Sequence, residues 1–399
     1  MNPNNPHRAG ASGTRHLQLG LSLVELMVAI TIGMLIVAAL LALFLNITRN
    51  NSELAKTNAQ IENGRFAMQL LENDVVHAGF WGAYVPQFDD LTFAAVPTDT
   101  PTDVPAPCLA YASWDAAHIS NLIGIPVQAY DAAPAGCAVV SNKKADTDVL
   151  VVRHAETCLP GEGNCEDDTG KLYFQASLCE LENATPYKLD TTGFTLHQRT
   201  CVGTPGSPPT ITSLDYADKR KFVSNIYYVR DYAVNPGDGI PTLMRSTFDL
   251  SAGTLAHQAA QPLIEGIEGF RVEFDIDSQN EKLGGGAVNY AEAVNWLDPT
   301  NKTTATNRGD GIPDGASCDA GCTVAQLMNV VSAKLYVLAR AKEPTPGYSD
   351  SKTYCVGTPN PDSTCPLAKK LGPFNDGFKR HVFSTSVRLN NISGRRETP

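Results

Sequence analysis

One uninterrupted apolar run near the N-terminus constrains the fold of this chain most strongly. Residues 26–45 are twenty consecutive residues without a charged side chain or a proline. As an α-helix rising about 1.5 Å per residue they cover about 30 Å, the hydrocarbon thickness of a membrane. The run is longer than the core of a cleavable secretory signal, and no A-x-A site follows it at 46–49. The sequence therefore predicts a membrane-spanning helix rather than an ordinary signal peptide.

The residues before this run predict its orientation. Residues 1–20 contain Arg8 and Arg15 and no Asp or Glu, and such positively charged segments stay on the cytoplasmic side. We therefore expect the bulk of the chain to be exported. The net charge of −11 argues against a nucleic-acid-binding surface, which needs clustered Lys and Arg.

The helix is predicted to continue beyond the membrane. No proline occurs between Pro6 and Pro86, and one apolar residue recurs every seven positions, at Ile47, Leu54, Ile61, Met68 and Val75. This single stripe indicates an amphipathic helix that packs on a globular sheet domain. A coiled coil is the alternative. It requires a second apolar residue in every heptad, and here that position is largely occupied by polar residues. We expect one helix over about residues 21–77, ended by the glycines of 78–82.

Short β-rich segments follow this helix. Six of them read as strands: 148–153, 171–176, 221–232, 269–277, 331–340 and 381–390. Apolar and polar residues alternate in 331–340, which is typical of a sheet covered on one side. The segments between strands lack the period of crossover helices, so antiparallel pairing is favoured. The predicted class is α+β, with one long helix packed on an antiparallel sheet domain that carries long, disulfide-stapled loops.

Four segments carry a family resemblance. "GLSLVELMVAITIG" (20–33) resembles the processing and assembly segment of type IV pilins. "NGRFAMQLLENDVVHAGFWG" (63–82), "GIPTLMRS" (239–246) and "PLIEGIEGFRVEFDID" (262–277) resemble the minor pilins of the PilW kind. The resemblance implies a pilin-like fold, cleavage by a prepilin peptidase after Gly20, methylation of the new N-terminus at Leu21, and insertion into a helical filament. The sequence departs from the usual pattern at Leu21, where the family usually has Phe, and at Leu19, where a basic residue is common.

These expectations divide the chain into four parts. Residues 1–20 are the cytoplasmic leader, and 21–47 are the half of the helix that spans the membrane and enters the filament core. Residues 48–82 are the amphipathic half of the helix, and 83–399 form the exported β-rich domain.

Glu25 is the only charged residue in the segment 19–46. A lone carboxylate in hydrocarbon costs several kcal/mol unless it finds a partner. Cleavage after Gly20 would create one, because the amine of Leu21 in one subunit can lie beside Glu25 of its neighbour in a staggered stack. We therefore expect Glu25 to act in assembly; the alternative is that it only marks the membrane boundary.

The resemblance implies a minor pilin that takes part in initiating pilus assembly, at or near the pilus tip. The implied partners are other minor pilins, the major pilin, the prepilin peptidase and the inner-membrane assembly machinery. The protein would lie in the bacterial inner membrane with a periplasmic domain, and after assembly in the surface pilus. Two alternatives remain: a minor pseudopilin of a type II secretion system, and a single-span surface adhesin or receptor. No H-E-x-x-H, G-x-S-x-G or P-loop motif occurs, so neither an enzyme nor a cofactor is predicted.

The ten cysteines predict disulfides in an oxidising compartment. Short loops with Gly or Pro favour Cys158 with Cys165, Cys318 with Cys322, and Cys355 with Cys365. By elimination Cys108 would pair with Cys137 and Cys179 with Cys201. Metal binding is the weaker alternative, because no C-x-x-C occurs.

A calcium loop is a weak candidate at residues 307–322. Asp310 and Asp314 have the D-G-x-x-D spacing of such loops, but Thr306 and Arg308 occupy the two positions where further oxygen ligands are needed. The sequence favours a solvated turn here, and no metal site is predicted.

Overall fold

A long helix and two antiparallel sheets dominate the structure. The computed structural model describes residues 20, 22–163, 165–182, 186–199, 201, 216–280 and 286–397. The chain divides into two units, Met1–Ala55 and Lys56–Pro399.

The helices and strands follow in chain order. The helices are α1 (Leu23–Val75), α2 (Ala116–Gly124), α3 (Val324–Leu327) and α4 (Asn390–Arg396). The strands are β1 (Val127–Tyr130), β2 (Val149–Ala155), β3 (Tyr173–Ala176), β4 (Tyr187–Asp190), β5 (Lys219–Arg230), β6 (Thr242–Ser251), β7 (Thr254–His257), β8 (Gln261–Glu265), β9 (Ile267–Ile276), β10 (Gln279–Asn280), β11 (Gly286–Ala287), β12 (Ala316–Cys318), β13 (Val330–Arg340), β14 (Tyr354–Cys355), β15 (Lys370–Leu371) and β16 (Arg380–Arg388).

The sheets are antiparallel, as the sequence predicts. The larger sheet has eight strands in the order β1-β2-β5-β3-β4, with β6 pairing to β5, β7 and β8. The second sheet has four strands in the order β12-β9-β13-β16. The six predicted strand segments correspond to β2, β3, β5, β9, β13 and β16. The observed class is therefore the predicted α+β class.

The core of the second unit lies where the C-terminal part of α1 meets both sheets. Met68, Leu71 and Val75 of α1 are buried in one apolar cluster with Tyr227 of β5 and Leu335 of β13. Burial of several large apolar side chains at about 1.5–3 kcal/mol each is the main stabilising contribution to such a core.

The buried face of α1 differs from the predicted stripe. Met68 and Val75 are buried as predicted, whereas Ile47 and Leu54 are exposed. The remaining buried positions of the helix are Gln60, Gly64, Ala67 and Leu71. Gln60 is polar, and its Nε2 donates a hydrogen bond to the carbonyl of Ala339 at 2.8 Å. The face of α1 that packs on the sheet therefore begins at Gln60, and it includes polar and small residues as well as apolar ones.

Gly64 lets a ring lie against the helix backbone. A Cβ placed on this residue would lie 2.1 Å from Cε2 of Phe383, which belongs to β16. Gly normally costs about 1 kcal/mol in a helix interior relative to Ala. Here the missing Cβ is what allows helix and sheet to approach.

We expect Gly64→Ala to destabilise the protein by about 1–2 kcal/mol, because overpacking outweighs the gain in helix propensity. In a Phe383→Ala background the same substitution should stabilise by about 0.5–1 kcal/mol. Denaturant unfolding of the four proteins, purified in detergent and followed by circular dichroism, measures this change of sign. The same effect of Gly64→Ala in both backgrounds would show that the ring does not limit this position.

Polar contacts also fix the end of α1. Asp74 accepts a hydrogen bond from Asn225 Nδ2 at 3.0 Å, and its Oδ1 lies 3.0 Å from His154 Nε2. Burial lowers the pKa of His154, but the hydrogen bond to Asp74, the charge of Asp74 and the hydrogen bond to the carbonyl of Ala155 act together to hold the pKa above its ordinary value. When it is protonated, His154 forms an ion pair with Asp74 that links α1 to β2.

The alternating pattern of β13 predicts that the second sheet is covered on one side only. In the structure both sides are covered. Ser332 and Arg340 of β13 point away from the apolar core, yet they are 7% and 8% exposed. Arg380 of β16 is buried on the same side and contacts the carboxylates of Glu268 and Asp350. The chain between β13 and β16 covers this face and supplies Asp350, so a polar layer replaces solvent there.

Candidate functional site

The candidate site for processing and assembly lies at the start of α1, where two side chains cap the helix. The backbone N–H of Ser22 donates to Glu25 Oε2 at 2.9 Å, and the N–H of Glu25 donates to Ser22 Oγ at 3.2 Å. This reciprocal pair is a capping box, which satisfies backbone donors that the first turn of a helix leaves free. The negative charge of Glu25 also lies at the positive end of the helix dipole. Glu25 therefore also caps the helix, in addition to its predicted role in assembly.

The stretch after the cap is apolar and exposed. Large side chains such as Leu26, Ile36 and Phe44 have exposed fractions of 52%, 55% and 65%. The stretch is long and apolar enough to cross a membrane. Thr31 is its only hydroxyl-bearing residue between 26 and 45, and its Oγ1 donates to the carbonyl of Val28 at 2.9 Å. A helix that satisfies its own polar groups in this way suits a lipid environment.

The predicted processing position lies just before the cap. Gly20 is exposed, and a Cβ placed on it would meet no atom within 4 Å. Leu21, the predicted methylated residue, lies outside the described residues. The pairing of its amine with Glu25 of another subunit therefore stays a prediction.

The ten cysteines form five disulfides. The pairs, with Cα–Cα distances between 5.1 and 6.3 Å, are Cys108–Cys137, Cys158–Cys165, Cys179–Cys201, Cys318–Cys322 and Cys355–Cys365. Glu156 lies beside Cys158 and Cys165, but sulfurs that are bonded to each other do not act as thiolate ligands. The disulfides staple loops of the unit Lys56–Pro399.

The loop with Asp310 and Asp314 is not the solvated turn that the sequence favours. Asp310 is 1% exposed, and its N–H donates to Asp277 Oδ1 at 3.2 Å. Asp314 is half-buried and accepts the N–H groups of Ser278 and Gln279, both at 2.6 Å. The sequence could not reveal this burial, because it depends on a segment more than 30 residues earlier.

The chain is similar to one known protein family and to a solved structure. A family model described as type IV pilus-assembly protein W matches residues 226–391, from β5 to the start of α4. Among solved structures, the type IV-like pilin TTHA1219 from Thermus thermophilus is similar over 62% of this chain and 80% of its own, at 16% identity and a TM-score of 0.26. No curated protein sequence matches the chain. The family match on strands of both sheets, the long apolar N-terminal helix and the α+β fold together make this chain similar to the type IV pilus-assembly proteins of the PilW kind.

Proposed function

We propose that this protein is a minor pilin that helps to initiate assembly of a type IV pilus, at or near its tip. The observation that carries the proposal is the exposed apolar part of α1, which starts at the capped Glu25 and continues as one helix into the unit matched by the family model. Apolar side chains on such a helix find partners in a membrane or in the helices of other pilins. The large exported region 83–399 suits a filament end, where fewer neighbouring subunits crowd it.

In this proposal the chain passes through two locations. It first spans the inner membrane, with residues 1–20 in the cytoplasm and 83–399 in the periplasm. A prepilin peptidase removes the leader after Gly20 and the new N-terminus at Leu21 is methylated. Residues 21–47 then leave the membrane for the filament core, where other minor pilins and the major pilin surround them.

Detection of the subunit in pili tests the proposal directly. Pili sheared from cells that carry an epitope-tagged chain should contain it at low abundance relative to the major pilin. Deletion of the gene should reduce the number of surface pili. Unchanged piliation of the deletion strain, with no tagged subunit in sheared pili, would contradict the proposal.

Processing is tested by Gly20→Val. We expect this variant to accumulate as full-length precursor in the inner membrane, because the larger side chain keeps the peptidase from the bond after residue 20. Gly33→Val is the matched control, since a Cβ on either glycine meets no atom of this chain within 4 Å. Mass spectrometry should find N-methylated Leu21 in wild type and in the control. Normal maturation of Gly20→Val would rule out the assigned cleavage position.

A further inference from the structure

The loop before β12 and the neighbouring strand β10 contain buried oxygen atoms that have no hydrogen-bond partner. They are Asp310 Oδ2, Asp314 Oδ1 and Asn280 Oδ1. In the part of the chain that the structure describes, no other buried carboxylate oxygen lacks a partner. Leaving a buried polar atom unpaired costs about 1–3 kcal/mol, and more for a charged group. Three such atoms on adjoining segments therefore indicate a ligand that would satisfy them.

The two segments that carry these atoms are held together by hydrogen bonds of the backbone and of side chains. The N–H of Asp314 donates to the carbonyl of Ile276 at 3.0 Å, and the N–H of Asp310 donates to Asp277 Oδ1. Asn280, which is 1% exposed, donates through Nδ2 to the carbonyl of Arg308 at 3.2 Å. Residues 276–280 thus lie against residues 305–314.

The rest of each side chain is fixed, so that one oxygen remains free. Asp310 Oδ1 accepts the N–H of Ile312 at 3.0 Å, and Asp314 Oδ2 accepts the N–H groups of Ser278 and Gln279. A carboxylate with one oxygen held by backbone donors and the other unpaired is prepared to bind a cation through a single oxygen. The arrangement costs no further side-chain entropy when the cation binds.

The nearby arginines do not neutralise these carboxylates. Arg308 donates through Nη1 and Nη2 to the carbonyls of Asn289 and Glu292, and its guanidinium lies over the ring of Tyr290. Arg396 pairs with Asp89 and Asp277. Among the described residues, no ion pair involves Asp310 or Asp314.

We propose that Asp310, Asp314 and Asn280 bind a Ca²⁺ ion. Ca²⁺ takes six to eight oxygen ligands from carboxylates, amides, carbonyls and water in flexible geometry, whereas Mg²⁺ requires a near-octahedral set. Three side chains leave water to complete the shell, and half-buried Asp314 gives the ion a path from solvent. Such a site has the affinity of extracellular calcium modules, a Kd of roughly 0.1–1 mM. The third ligand comes from β10, so the loop differs from an EF-hand, in which all ligands lie in one 12-residue segment.

Calcium titration of the full-length protein in detergent, stripped with a chelator and followed by calorimetry, tests the site. We expect one saturable Ca²⁺ site with that Kd, and binding of Mg²⁺ at least tenfold weaker. Asp310→Asn and Asp314→Asn should each weaken Ca²⁺ binding at least tenfold. Asp298→Asn is the control, because Asp298 is half-buried in another loop, where it accepts hydrogen bonds from Thr300 and Asn301, and it should change the Kd less than twofold.

The same variants separate binding from folding. Without calcium, Asp310→Asn should unfold at the wild-type temperature or above it, because a buried uncompensated charge has been removed. Absence of saturable Ca²⁺ binding by the wild-type protein overturns the proposal, as does wild-type affinity in both Asp310→Asn and Asp314→Asn. Equal affinity for Mg²⁺ and Ca²⁺ overturns the assignment to calcium.

Discussion

Replacing Glu25 by Gln should reduce incorporation of this subunit into pili about a hundredfold or more, without affecting its export or its maturation. Gln can still accept the N–H of Ser22 from the third helical position, so the helix cap is retained. What is lost is the negative charge, which in the proposed filament is the counter-ion of the amine of Leu21 in the neighbouring subunit. Breaking a buried ion pair costs about 3–5 kcal/mol, and each 1.4 kcal/mol is about tenfold in an equilibrium.

Ser22→Ala is the matched control for the Glu25 experiment. It removes the cap hydrogen bond to the N–H of Glu25, which is worth about 1 kcal/mol, and keeps the charge. The two strains are compared by the mature-to-precursor ratio on immunoblots and by the amount of subunit in sheared pili. Normal incorporation of Glu25→Gln would mean that the carboxylate serves only as a helix cap or as a boundary marker. If Ser22→Ala alone reduced incorporation, the role of Glu25 would be that of a helix cap.

The sequence predicts the parts of this fold that depend on local pattern. The long helix and the six strand segments appear within a few residues of their predicted positions, because hydrophobic period and turn residues act over short distances. The Ser22 cap is also readable from the sequence, since S-x-x-E immediately precedes the apolar run. These features need no knowledge of which strands meet.

Features that depend on distant contacts are not readable in this way. Gly64 contributes to packing only because Phe383 approaches it. The burial of Asp310 depends on Asp277 and Asn280, which precede it by about 30 residues. A period or a loop motif shows which residues share a face or a turn, but it does not show which other segment covers them.

The largest effect on stability is expected at Arg380, on the polar side of the second sheet. Its side chain is fully buried, with Nη1 3.0 Å from Asp350 Oδ2 and 2.6 Å from Asp376 Oδ1, and its guanidinium lies 3.7 Å from the ring centre of Phe374. Burial lowers the pKa of Arg380, but hydrogen bonds to Asp376 and Glu268 outweigh burial and hold the pKa above its ordinary value. The guanidinium is therefore the charge that balances this layer.

Arg380→Met should lower the free energy of unfolding by about 3–5 kcal/mol at neutral pH, because it leaves a buried carboxylate without a cation. In the Arg380→Met variant, Glu268 still has Arg340 at 3.4 Å, whereas fully buried Asp350 still has the hydroxyl donors of Tyr348 and Tyr354. Adding Asp350→Asn to Arg380→Met should therefore recover part of the loss, although Asp350→Asn alone should destabilise the protein.

Arg388→Met separates this effect from the loss of any arginine in β16. Arg388 pairs with Glu397, and both side chains are about half exposed, at 48% and 52%. An exposed pair is worth less than about 1 kcal/mol, so this variant should unfold close to wild type. Urea unfolding of the full-length proteins in one detergent compares all of these variants. Equal losses for Arg380→Met and Arg388→Met, or no recovery with Asp350→Asn, would mean that charge balance is not what makes Arg380 necessary, because Met retains much of the packing on Phe374 but none of the charge.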